Sequence, residues 1–124
     1  MEAIGHHEFG RGLRPVDFGG WLEEASPPDR LEFWVRYWVA AYRFVLEHAE
    51  GSTCIVSYAR LTAEPRRALA DLASALGLRE EDLARHAGRL RPPRTHEVGA
   101  EDVPAAVLGE AREIQHTLEA RAVV

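Results

Sequence analysis

The chain has 124 residues, of which 46% are hydrophobic and 28% charged, and a formal net charge of −5. That length allows one domain at most, and the balance of apolar and charged residues does not fit a disordered chain. The 15 basic residues are all arginine and lie scattered among 20 acids, so no basic stripe marks a nucleic-acid surface.

Without lysine there is no candidate for a Schiff base or an amine nucleophile, whereas arginine forks suit carboxylate or phosphate. A GC-rich bacterial genome produces the same arginine bias. The single Cys54 rules out an internal disulfide and fits a reducing compartment. The opening Met1-Glu2-Ala3-Ile4-Gly5-His6-His7 lacks the basic and apolar regions of a signal peptide. Arg36 and Arg43 interrupt the most aromatic stretch, and no run reaches membrane-spanning length. The expectation is a soluble, cytoplasmic protein with no membrane and no nucleic acid as partner.

Residues 1–26 carry Gly5, Gly10, Gly12, Gly19 and Gly20 among His6, His7, Phe9 and Phe18, and read as an irregular arm. So long a structureless opening points to chain missing upstream. Ser26-Pro27-Pro28-Asp29 predicts a helix start: a capping hydroxyl, proline in the first turn, and an acid near the positive end of the dipole. That helix should run to about Ala49, ahead of Gly51. Leu31, Trp34, Val35, Trp38, Tyr42, Val45 and Leu46 form one stripe at helical spacing. Phe33, Tyr37 and Phe44 lie off it, so the helix is apolar on more than one side, as helices buried between layers are.

Thr53-Cys54-Ile55-Val56-Ser57-Tyr58 is short, β-branched and continuous, which predicts a parallel-type strand covered on both faces. Its hydrogen-bond ladder has to come from elsewhere, a second sign of missing chain. Left on its own, such a strand should stay weakly protected or find a partner by self-association. Ala63 to Leu76 predicts a helix with Leu69, Leu72 and Leu76 inward, Pro65 in its first turn and Gly77 as its left-handed stop. A short acidic helix from Glu80 to Ala87 closes at Gly88, and Arg89 to Gly99 is a loop containing Pro92-Pro93. Asp102 caps a last helix to about Ala122, with Val103, Val107, Ile114 and Leu118 on one face. The organisation expected is one partial domain over residues 1–124, with an arm at 1–26 and the folded part at 27–122.

The sequence holds no GxxxxGK[S/T], GxGxxG, GxSxG, CxxC or HExxH motif. His6-His7-Glu8 reads either as a metal cluster or as a solvated arm, since adjacent residues converge on one ion only where a fold bends them. His48, His86, His96 and His116 show no ligand spacing. One constellation is stronger. A tryptophan-bearing helix leads into the segment ending Ser57-Tyr58-Ala59-Arg60-Leu61, then Thr62-Ala63-Glu64-Pro65, a helix, and Ala75-Leu76-Gly77-Leu78.

This order resembles the C-terminal part of the sulfotransferase family, with its tryptophan helix, strand, "Y-E-x-L", proline, and "L…L…F-L-G-L". The resemblance covers roughly residues 30–90. Ala59 stands where the family has an acid, and Ala75 where it has phenylalanine. The resemblance implies an α/β fold, P-loop-like and three-layered, of which this chain would supply a mostly helical part with one buried parallel strand. It implies 3′-phosphoadenosine 5′-phosphosulfate (PAPS) as cofactor, its product adenosine 3′,5′-bisphosphate (PAP), and a small-molecule alcohol, phenol or amine as acceptor.

In that family the phosphosulfate-binding loop, the arginine and serine on the 3′-phosphate and the catalytic base all precede the matching stretch, so no catalytic residue is assigned here. Tyr58 aligns with the strand-end tyrosine that reaches the adenine; the alternative is a tyrosine that packs and hydrogen-bonds locally. Arg89, Arg91 and Arg94 fall in the loop where the family places adenine and 3′-phosphate contacts, and forked arginines suit a phosphate. Trp34, Tyr37, Trp38 and Tyr42 either border an acceptor pocket or are core. The resemblance therefore implies a truncated enzyme, inactive alone, that self-associates or meets a complementing N-terminal half. The rival reading is a small helical interaction module with an exposed aromatic face.

Overall fold

The computed structural model describes residues 12–94 and 99–124, and within them every regular element is helical. A 3-10 turn at Trp21–Glu24 precedes α1 (Leu31–His48). Then come α2 (Tyr58–Ala63), α3 (Pro65–Ala75), α4 (Glu80–Ala84), a 3-10 turn at Ala87–Arg89, and α5 (Ala105–Arg121). The chain divides into two compact units: residues up to His48 with Ala100–Ala111, and Ala49–Gly99 with Arg112–Val124.

In the first unit, α1 begins at Leu31 and not at Ser26. Pro28 disfavours helical backbone at Pro27, so residues 27–30 close a separate turn in which the Arg30 amide donates to the Pro27 carbonyl at 3.0 Å. Ser26 bonds the carboxylate of Glu32, which Arg36 also holds at 2.8 Å one turn on. Those two hydrogen bonds, the arginine's first, keep the Glu32 carboxyl below its ordinary value of 4.5. A depressed carboxyl stabilises the fold above its unfolded value and loses that contribution as pH falls through the folded one. Acid titration below about pH 4.5 should therefore show a small loss of stability that Glu32→Gln abolishes. An unchanged acid profile in the variant would refute the assignment.

The apolar stripe at helical spacing on α1 is not its most buried side. Phe33, Val39 and Ala40 are buried, whereas Tyr42 and Val45 are 40% and 38% exposed. The reason lies before the helix. Gly19 and Gly20, at φ 71° and 84°, turn the chain so that Phe18 and Trp21 reach α1. Trp21 stacks on Tyr37 at 5.1 Å and meets Phe33 at 5.2 Å, while Phe18 reaches Phe44 at 5.3 Å. The Val16 amide donates to the Tyr37 hydroxyl at 3.1 Å, and the Trp21 indole donates to the Val16 carbonyl at 2.9 Å. The described part of the arm is thus tied to α1. Arg43 of α1 pairs with Glu110 of α5 in the same unit, where Val103 and Val107 are buried.

In the second unit, the expected Ala63–Leu76 helix is two helices, because Pro65 pushes Glu64 out of helical backbone (φ −131°, ψ 70°) and restarts the helix at N1. α3 ends as expected at Gly77, φ 67°. The Leu78 amide donates to Ala73 at 2.8 Å and the Gly77 amide to Ser74 at 3.1 Å, the paired bonds of a Schellman stop. Ala68, Leu69 and Ala73 form its buried side, while Leu76, expected inward, is 50% exposed.

The largest correction concerns the fold class. Among the described residues there is no strand, so the α/β expectation with a buried parallel strand gives way to an all-helical fold. Thr53–Val56 carries no regular structure, Ser57 caps α2 and Tyr58 is that helix's first residue. Two bonds join Ile55 and Ser57 to the last two residues: the Val123 amide donates to Ile55 at 3.0 Å, and the Ser57 amide to Val124 at 2.9 Å. A parallel bridge needs one residue on the facing segment to supply both groups. Here they come from successive residues, so no ladder forms. Nor is the segment covered on both faces, with Cys54 and Ile55 only half-buried and Val56 38% exposed.

Candidate functional site

Tyr58 and the Arg89–Arg94 loop are brought together by the second unit. At the first position of α2, the Tyr58 side chain reaches back so that its hydroxyl donates to the Arg91 carbonyl at 2.6 Å. The residue stays 52% exposed. The loop leaves the 3-10 turn at Ala87–Arg89, and the Arg91 guanidinium donates to the Gly88 carbonyl at 3.1 Å, steadying its own backbone. Arg89 and Arg94 are exposed, and neither guanidinium bonds another described residue. Exposed guanidinium forks in general suit a phosphate or carboxylate, and an exposed aromatic face suits a stacked ring. The same loop continues into residues 95–98, which with His96 lie outside the described residues. Comparison with protein families, with curated proteins and with solved structures finds no match. The geometry therefore stands by itself.

A second constellation escaped sequence reasoning. Ser57, 7% exposed, donates its hydroxyl to Glu119 of α5 at 2.7 Å and accepts from the Arg60 amide at 3.4 Å. The Arg60 guanidinium pairs with the Glu119 carboxylate at 3.1 Å and donates to the Glu119 carbonyl at 2.8 Å. A carboxylate from α5 thus serves the turn that starts α2. Glu119 lies 62 residues from Ser57, so no motif spacing could have revealed the pair.

An open groove of about 330 Å³ runs along α2 and α3, lined by Arg60, Glu64, Arg67 and Asp71 and by Val123 and Val124. Arg67 sits 3.6 Å from Glu64 and 3.9 Å from Asp71, and Arg60 is held by Glu119, so the groove's cations already have anions. It offers nothing further to a phosphate. No cluster of three metal-ligating side chains occurs among the described residues, and His6-His7-Glu8 lies outside them. No described helix is long and apolar enough to cross a membrane. The four aromatics weighed for an acceptor pocket fall in α1 of the first unit, where Trp34 and Tyr37 join the Phe33 cluster and Trp38 pairs with Tyr42 at 4.7 Å.

Proposed function

We propose that this chain is a cytoplasmic, sulfotransferase-related protein that binds the adenosine 3′,5′-bisphosphate portion of PAPS through Tyr58, Arg89, Arg91 and Arg94. One observation carries the reading. The 2.6 Å hydrogen bond from Tyr58 to Arg91 keeps an exposed ring and an arginine loop side by side, although 33 residues separate them in sequence. When bound, the cofactor would supply the sulfuryl group that related enzymes pass to a hydroxyl or amine. These residues would orient its adenine and 3′-phosphate end and do no more.

PAP should bind weakly, near the millimolar range, since one ring contact and one or two forks replace a full phosphate site. Added salt should weaken it, because exposed guanidinium charge is screened. Arg91→Ala with Arg94→Ala should cost about tenfold, or ~1.4 kcal/mol. Tyr58→Phe should cost less, because the hydroxyl is spent on the loop and the ring is retained. The measurement is an NMR titration, in which shifts should map to Tyr58 and residues 89–94. Silence there, or shifts confined to residues 1–26, would sink the site. The isolated chain should turn over no PAPS with phenol or amine acceptors, and any turnover would contradict the proposal.

A second reading is favoured by α1, whose Tyr42, Phe44 and Val45 are 38–43% exposed. On that reading the chain is a helical interaction module, and PAP produces no shifts at all.

A further inference from the structure

The loop that carries Arg91 and Arg94 is hydrogen-bonded to the rest of the second unit at one point. Residues 91–94 have no regular structure, and Pro92 and Pro93 have no amide to donate. Arg91 bonds the nearby Gly88 carbonyl. Among the described residues, the tie from this stretch to a distant part of the chain is the 2.6 Å bond that the Arg91 carbonyl accepts from the Tyr58 hydroxyl. Where the loop lies therefore depends on where Tyr58 points.

Tyr58 opens α2, and α2 does not fix its own direction. It has six residues, none of them buried. Helices below about 12–15 residues are marginal by themselves and depend on tertiary contacts. The Ser57 amide donates to the Val124 carbonyl at 2.9 Å, which fixes where α2 starts. A second grip fixes the direction in which it leaves, and Glu119 of α5 supplies it. One carboxylate oxygen accepts from the Ser57 hydroxyl at 2.7 Å, and the other faces the Arg60 guanidinium at 3.1 Å. That guanidinium also donates to the Glu119 carbonyl at 2.8 Å. Tyr58 thus sits between two residues, Ser57 and Arg60, that one carboxylate bridges.

We infer that Glu119 is a positioning residue for the arginine loop: through Ser57 and Arg60 it aims Tyr58, and Tyr58 holds Arg91. The consequence for PAP rests on the nucleotide reading; the relay itself does not. Glu119 keeps ring and loop in one arrangement before anything binds, which reduces the ordering a ligand would otherwise impose.

The test reads the Arg91 carbonyl carbon by NMR in the full chain without nucleotide, since that resonance moves upfield when the carbonyl stops accepting a hydrogen bond. Tyr58→Phe deletes the donor and sets the full shift. Glu119→Ala should move the resonance the same way and no further. Glu119→Gln should move it part of the way, because an amide oxygen still accepts from Ser57 while the charge facing Arg60 is gone. In the Tyr58→Phe background Glu119→Ala should add nothing, because the relay is already cut. Leu69→Val loosens the buried side of α3 without touching the turn, and should leave the resonance in place. An Arg91 resonance unmoved in the Glu119 variants, a further shift in the double variant, or an equal shift in Leu69→Val would overturn the relay. Should Glu119→Ala not fold, Glu119→Gln against Tyr58→Phe decides. In a PAP titration Glu119→Ala should weaken binding severalfold. A wild-type chain that binds no PAP would sink the nucleotide site alone, and the Arg91 resonance would still decide the relay.

Discussion

Replacing Phe33 by alanine should lower the stability of the first unit by about 3–5 kcal/mol, the largest single-residue effect expected in this chain. Phe33 is 2% exposed, with the rings of Trp34, Trp21 and Tyr37 centred 5.1, 5.2 and 6.1 Å away. Truncation loses the transfer energy of the ring and leaves a void that three stiff aromatic neighbours fill only in part. Phe44, 43% exposed, is the internal comparison, and its alanine variant should cost under about 1 kcal/mol because no closed cavity results. Tryptophan fluorescence during urea unfolding reads the difference directly, since Trp21, Trp34 and Trp38 all belong to the first unit. Equal losses from the two phenylalanines would mean that the Trp21 face is not the packed side of α1.

Ser57→Ala should cost about 1–3 kcal/mol and act on the second unit alone. The hydroxyl has two roles in α2: it accepts from the Arg60 amide as the cap, and it donates to Glu119 at 2.7 Å. Removing it leaves an uncapped helix and withdraws a donor from a carboxylate that is only 35% exposed. The Arg60–Glu119 pair contributes less, because the arginine side chain is 51% exposed and such pairs are worth about 0–1 kcal/mol. Ser57→Ala and Glu119→Ala should therefore be non-additive, coupled by at least 0.5 kcal/mol in a double-mutant cycle at roughly neutral pH. Amide exchange in α2 reports the loss locally. Strictly additive effects would show that the hydroxyl and the carboxylate do not act on one another.

The features legible in sequence are those written by neighbouring residues. Pro65 in the first turn of α3, Gly77 as its stop, and Val107 and Ile114 as buried residues of α5 each depend on backbone geometry within a turn or two. Tyr58 could be marked as a candidate because a resemblance covered it, and the arginine loop because it follows the short helix at the end of that stretch. That they touch could not be foreseen, because the bond joins a side chain to a backbone carbonyl 33 residues on. Only the tertiary structure decided which side of α1 is buried. That helix is apolar on more than one side, so periodicity alone does not choose the buried face until Phe18 and Trp21 cover one. The same holds for Thr53–Val56. Its β-branched composition favours a strand, but a strand exists only where a facing segment supplies amides and carbonyls in register. Val123 and Val124 supply them one residue out of step.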